Sequence, residues 1–236
     1  MRLKPYIAGA ITLLFLGGCY NQPGLVADNS YNRTKTGSLL GAVTGAVVGY
    51  NSGNHHNKKG AVLGAVAGAV AGGSVGYLLD KQANEIANAL GTGVANDPLA
   101  AKDPNRSIVV MKYKDHVRVL FRDKMMFATG SSKLQPSARS KVAKLASVLR
   151  QYPQTVVGVA GFTDNRGNYS YNQKLSLNRA SSVARLLSVN GKRPRIKGCS
   201  YNKPLVPNNS ERNMAINRRV EVYLYNDPSR MTDPCR

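Results

Sequence analysis

Between residues 37 and 76, glycine recurs every fourth position, and that spacing limits what the segment can become. Gly37, Gly41, Gly45 and Gly49 form one run. Gly60, Gly64, Gly68, Gly72 and Gly76 form a second, and Leu40-Gly41-Ala42-Val43 returns 23 residues later as Leu63-Gly64-Ala65-Val66. Such internal repetition sets the architecture of the segment. A helix interior loses about 1 kcal/mol for each glycine relative to alanine, so nine of them need a compensating gain. Spacing by four puts them on one helical stripe, where another helix can approach closely, as in the small-xxx-small packing of membrane helices. Residues 61–79 carry no charge, and the Asn-, Gly- and Lys-rich residues 51–59 form a turn. The pattern predicts a helical hairpin over 37–90. Insertion in a bilayer, packing in an oligomer and a flexible Gly/Ala linker all remain open. The first apolar run, 37–50, is shorter than the roughly 20 residues of a membrane span.

The N-terminus decides the compartment. Arg2 and Lys4 precede an apolar run, residues 7–16, which closes on Leu16-Gly17-Gly18-Cys19. This is the pattern of a secretory signal peptide over 1–18. Residues 19–36 then read as a polar tether. The formal charge of +21 favours partners bearing carboxylates or phosphates. Export removes the chain from cytoplasmic nucleic acid, so no nucleic-acid partner is expected. Beyond Cys19 stand Cys199 and Cys235. In an oxidising compartment they are expected to form a disulfide, with two free thiols as the alternative. His55, His56 and His116 stand at no zinc-like spacing from them, and no metal or cofactor is expected.

Residues 80–90 continue the second helix by their Ile86, Ala87 and Leu90 spacing, and Gly91-Thr92-Gly93 ends it. The Pro- and Asn-bearing residues 91–106 read as a linker, which places a domain over 107–226 and a tail over 227–236. Residues 107–113 and 117–121 read as a strand hairpin, with Val117, Val119 and Phe121 alternating against His116, Arg118 and Leu120. Pro136 suits the first turn of a helix that buries Val142, Leu145 and Leu149. Residues 155–162 form a strand, 172–190 a second amphipathic helix, and 195–199 and 220–225 two more strands, with a polar loop between these last. That order predicts an α+β sandwich, its helices packed on one face of a mixed sheet.

Four separated motifs give the domain a family. Phe127-Ala128-Thr129-Gly130-Ser131, Gly161-Phe162-Thr163-Asp164, Asn172 with Leu175-Ser176 and Arg179-Ala180, and Asn217-Arg218-Arg219-Val220-Glu221 stand in the order and spacing of the OmpA C-terminal family. The resemblance runs over about 108–226. Leu16-Gly17-Gly18-Cys19 resembles a lipobox, which makes Cys19 the expected lipidated residue, and Tyr20 in place of Asp favours the outer membrane. The zipper is similar to that of glycine-zipper lipoproteins, so the mature chain as a whole resembles YiaD-type outer-membrane lipoproteins.

This resemblance implies noncovalent binding of peptidoglycan through the meso-diaminopimelate of its stem peptide, with the domain in the periplasm. The free centre of that residue carries an ammonium and a carboxylate. Asp164, just after a strand, is expected to meet the ammonium. Arg179, expected early in the following helix, offers a planar fork to the carboxylate. Helix N-terminal amides would add anion donors. Thr163, Asn172, Arg218 and the backbone at Ala128 and Thr129 are expected to line the same pocket, with either Arg218 or Arg219 only supporting the last strand. Two positions depart from the family: Phe162 where His is commonest, and Ala128 where Asp is common. No nucleophile–base pair or paired carboxylates point to an enzyme. A wall tether is the leading expectation. A wall-anchoring subunit of an envelope or secretion complex, assembled through the zipper as a homo-oligomer or with other proteins, is the alternative.

Overall fold

The computed structural model describes residues 76–236. The signal peptide, Cys19, the tether and the hairpin up to residue 75 lie outside the described residues. Residues 76–90 form a helix, α1. Leu79, Ala83, Ile86, Ala87 and Leu90 share one stripe of it, and all are buried in the main core. Its end is a Schellman motif: Gly91 has φ +71, Thr92 N donates to Ala87 O at 2.9 Å, and Gly91 N donates to Asn88 O at 3.1 Å. Polar contacts also fix α1 to the domain. Lys112 Nζ lies 3.5 Å from Asp80 Oδ1 with both side chains buried, Gln82 donates to Thr155 Oγ1 at 2.9 Å, and Tyr152 donates to Glu85 at 2.7 Å.

The chain beyond α1 is not a linker. Strand β1, Val94–Ala95, pairs in parallel with β2, Ile108–Lys112, and a short 3-10 helix, Pro98–Lys102, seals the face beside it. The boundary expected near residue 106 therefore falls inside one packed unit that includes α1. A two-residue strand flanked by Pro, Gly and Asn has no periodicity of its own, and only pairing with β2 makes it a strand.

Strands β3 (His116–Arg122), β4 (Val156–Phe162), β5 (Arg195–Gly198) and β6 (Arg219–Tyr225) complete a six-stranded mixed sheet of order β1-β2-β3-β6-β4-β5. Four more helices follow α1 in chain order: α2 (Asp123–Met126), α3 (Pro136–Leu149), α4 (Tyr169–Leu186) and α5 (Glu211–Asn217). Helices α1, α3 and α4 cover one face. There Val142, Leu145 and Leu149 of α3 and Val183 and Ala184 of α4 pack on Val119, Val159 and Val222 of the strands. The fold is thus the expected α+β arrangement. The additions are β1, α2 and α5, the last lying where a polar loop was expected.

Alternation sends the other residues of β3, β4 and β6 to the second face. It carries a buried charge cluster: Arg219 Nε lies 2.6 Å from Glu221 Oε1, Arg118 Nη1 lies 3.5 Å from Glu221 Oε2, and the Tyr223 hydroxyl donates to the same carboxylate. Over this face the tail is fastened by the expected disulfide, Cys199–Cys235, with Cα atoms 5.1 Å apart. Closing its 36-residue separation is worth about 4 kcal/mol by the chain-entropy model.

Two glycines set the seat of α4. A Cβ on Gly161 of β4 would lie 2.1 Å from Ser176 O, and one on Gly198 of β5 would lie 2.7 Å from Gln173 O. Only strands bare at these points let the helix backbone approach, and this closeness fixes where α4 presents its side chains beyond the end of β4.

Candidate functional site

The loop after β4 is shaped by its own polar side chains. Thr163 N donates to Ser200 O at 2.8 Å, which holds the strand end. Asp164 Oδ1 then accepts from Arg166 N at 3.0 Å, an Asx turn. Gly167, at φ +82, carries the chain back toward α4, and Asn172 Nδ2 ties the loop down by donating to Arg166 O at 2.7 Å. The Asn168 side chain caps α4 by accepting from Tyr171 N at 2.8 Å, so that N-terminal amide is already in use.

Asp164 projects into a cleft of about 850 Å³, within the range of ligand sites. Ala128, Thr129, Thr163, Asp164, Asn172, Arg179 and Arg218 all line it, so the residues singled out from sequence come together from four parts of the chain. Arg219 does not: its guanidinium stacks 3.8 Å above the Phe162 ring on the second face. Arg218 is the cleft residue, and Arg219 supports β6. Phe162 is likewise absent from the cleft lining, so the departure at position 162 falls away from the site, whereas Ala128 is exposed in it.

Asp164 and Arg179 do not pair with one another. Asp164 Oδ2 is held by Arg218 Nη1 at 2.6 Å and by Arg166 Nη2 at 2.9 Å. Glu211 Oε1 lies 2.9 Å from Arg218 Nη2, and Glu211 Oε2 lies 2.9 Å from Arg166 Nη1, which completes a ring of alternating charges. Burial alone would raise the Asp164 carboxyl, but the hydrogen bonds from Arg218 and Arg166 outweigh it and hold the group below its ordinary value. Arg179 stands in the middle of α4 rather than near its start. Its Nη1 lies 3.0 Å from Asp123 Oδ1, its Nε donates to Ser131 O at 2.9 Å, and its guanidinium sits 5.1 Å from the Phe127 ring centroid. Burial pushes Arg179 down and Asp123 up, each against the attraction of the other.

Asp123, Arg166 and Glu211 are cleft residues that the sequence does not announce. Arg179 and Asp123 are 56 positions apart, and no local spacing links them; the four-residue helix α2 alone brings Asp123 under Arg179. With Lys124, the cleft holds four cations against three carboxylates. The Thr163 hydroxyl adds a buried polar atom without a hydrogen-bond partner among the described residues.

A six-stranded mixed sheet with helices on one face, and a charged cleft at the ends of β4 and α4, define a domain of the OmpA class. The OmpA family matches residues 126–218, and the YMGG-like Gly-zipper family matches residues 1–80. The fold is also that of a putative MotB-like protein from Desulfovibrio vulgaris, with a TM-score of 0.50, 23% identity, and 63% of this chain and 94% of that chain covered. The peptidoglycan-associated lipoprotein of Pseudomonas putida is 33% identical over 135 residues, 56% of this chain and 81% of that protein. The probable lipoprotein YiaD of Escherichia coli (strain K12) is 32% identical over 231 residues, 95% of this chain and 99% of YiaD. The chain belongs to the OmpA family, among lipoproteins of the YiaD type that carry a Gly-zipper before the OmpA domain.

Proposed function

We propose that the protein is an outer-membrane lipoprotein, anchored through Cys19, whose periplasmic domain grips peptidoglycan noncovalently at the meso-diaminopimelate of the stem peptide. The observation that carries this reading is the presence of Asp164 and Arg179 in one cleft, Asp164 in the hydrogen-bonded turn after β4 and Arg179 on α4, each held by a counter-ion rather than by the other. A zwitterionic centre presents an ammonium and a carboxylate a few ångströms apart. Arg166 sits on the Asp164 carboxylate, and its side chain is 57% exposed. The ligand ammonium takes over that role, and Arg166 retains Glu211 as its partner. Arg218 stays on Asp164 and keeps the carboxylate ionised. The ligand carboxylate meets Arg179, supported by Asp123 and Ser131 from behind, and the unpartnered Thr163 hydroxyl supplies one further hydrogen bond. The lipoprotein relatives and the one named for peptidoglycan association support the same reading.

Co-sedimentation with purified sacculi tests it. Asp164→Asn removes one charge-assisted contact to the ligand, worth about 2 kcal/mol, and is expected to weaken binding roughly 30-fold in a protein whose far-UV circular dichroism shows it still folded. Unchanged sedimentation of a folded Asp164→Asn protein would remove Asp164 from the site.

A further inference from the structure

Between residues 124 and 210 the chain carries fifteen Lys and Arg and a single carboxylate, Asp164, which is buried in the cleft. Thirteen of the fifteen cations are exposed, all but Lys141 and Arg179. This stretch contains α3, α4 and β5, so its own exposed side chains bear one sign of charge, with Arg166 and Lys197 paired to Glu211 and Asp233 from beyond it. On α4, Lys174, Asn178, Ser181 and Arg185 follow one stripe opposite the buried Ala180, Val183 and Ala184. On α3, Arg139 and Lys144 are exposed. None of these four cations has a carboxylate within ion-pair distance among the described residues, in contrast to Arg166 and Arg218 in the cleft.

The stripe begins at the cleft. Tyr171, Asn172, Leu175 and Arg179 of α4 line it, and from Lys174 to Arg185 the cationic face runs about 17 Å along the helix. We infer that the outer face of α3 and α4 is a second contact surface for the same wall polymer, taking the carboxylates of neighbouring stem peptides along the strand whose diaminopimelate occupies the cleft. The inference rests on the peptidoglycan reading of that cleft. A membrane surface fits this face less well. Interfacial helices set several large apolar side chains among their cations, whereas α3 exposes none and the α4 stripe exposes only Leu177, with Tyr169 and Tyr171 at the cleft end of the helix. Around Arg139 and Lys144, α3 exposes Ser137, Ser140, Ala143 and Ser147, small groups over which a hydrated polymer can lie.

The test uses the full-length lipoprotein in detergent with four substitutions, Arg139→Gln, Lys144→Gln, Lys174→Gln and Arg185→Gln, none of them in the cleft. Affinity for purified sacculi is expected to fall at least fivefold at about 50 mM salt, and the gap to the wild type to close near 500 mM, where screening shortens to a few ångströms. Affinity for a soluble diaminopimelate stem peptide should stay within twofold. A companion protein with Arg139→Lys and Arg185→Lys should bind sacculi like the wild type. Unaltered sacculus binding of the fourfold variant overturns the inference. So does a loss that persists at high salt, a loss in the Lys companion, or a defect confined to vesicles of phosphatidylglycerol and phosphatidylethanolamine. If the wild type fails to bind the soluble peptide, the cleft assignment falls instead, and the salt-dependent sacculus comparison still decides this surface.

Discussion

Removing Asp123 should destabilise the domain more than removing Arg179, although the two form one ion pair. The side chain of Arg179 is 4% exposed and that of Asp123 12%, with 3.0 Å between Nη1 and Oδ1. Truncating one partner of such a pair typically costs 3–5 kcal/mol, because the other is left charged in a poor solvent. The two survivors differ in how they respond. Asp123 already sits above its ordinary pKa through burial, and once orphaned it escapes the penalty by taking a proton. Arg179 cannot lose its proton near neutral pH. Asp123→Asn is therefore expected to cost about 3–4 kcal/mol and Arg179→Met about 2 kcal/mol, while the double variant costs less than their sum by about 1–3 kcal/mol. In thermal terms, the Asp123→Asn loss lowers Tm by about 10 °C for a domain of this size. Urea unfolding followed by far-UV circular dichroism, suited to a chain without tryptophan, measures all three at constant m. Additive losses, or a larger loss for Arg179→Met than for Asp123→Asn, would refute the reasoning.

The seat of α4 makes a second prediction. Gly161→Ala places a methyl 2.1 Å from Ser176 O, and because backbone rather than a flexible side chain must yield, it should cost more than about 3 kcal/mol in the same assay. Acid gives a third. Burial alone would raise the Glu221 carboxyl, but Arg219, Arg118 and the Tyr223 hydroxyl hold it down to about 2. A depressed carboxyl stabilises fully above its unfolded value near 4.3, so on the order of 3 kcal/mol should disappear as pH falls from about 5 toward 2. Glu221→Gln should flatten that limb of the stability profile, and an unchanged slope would contradict it.

The parts of the fold that show in the sequence are those with a long period of their own. Val142, Leu145 and Leu149 announce α3, and Val117, Val119 and Phe121 announce β3, because each repeat matches a face that must be buried. Asp164 is readable from its motif and from its place after a strand. Other features are set by contacts between distant segments. Strand β1 is two residues long and exists through β2. Helix α1 looks like the end of a glycine zipper, yet its Leu79, Ile86 and Leu90 belong to the core of the OmpA domain, and Asp80 finds Lys112 across 32 positions. The hidden cleft residues have the same origin. Arg166 shows only as a loop cation and Glu211 only as part of a polar stretch, and their roles emerge once β4 and α5 place them around Asp164 and Arg218.

On the proposed reading, Asp164 and Arg179 take the ammonium and the carboxylate of one ligand centre. Calorimetric titration with two soluble stem peptides, one with meso-diaminopimelate and one with lysine in its place, separates those groups, since the lysine peptide keeps the ammonium and lacks the carboxylate. The diaminopimelate peptide should bind at least tenfold more tightly to the wild type, and that preference should collapse in Arg179→Lys, which loses the planar fork. Equal affinity of the two peptides for the wild-type protein would contradict the account.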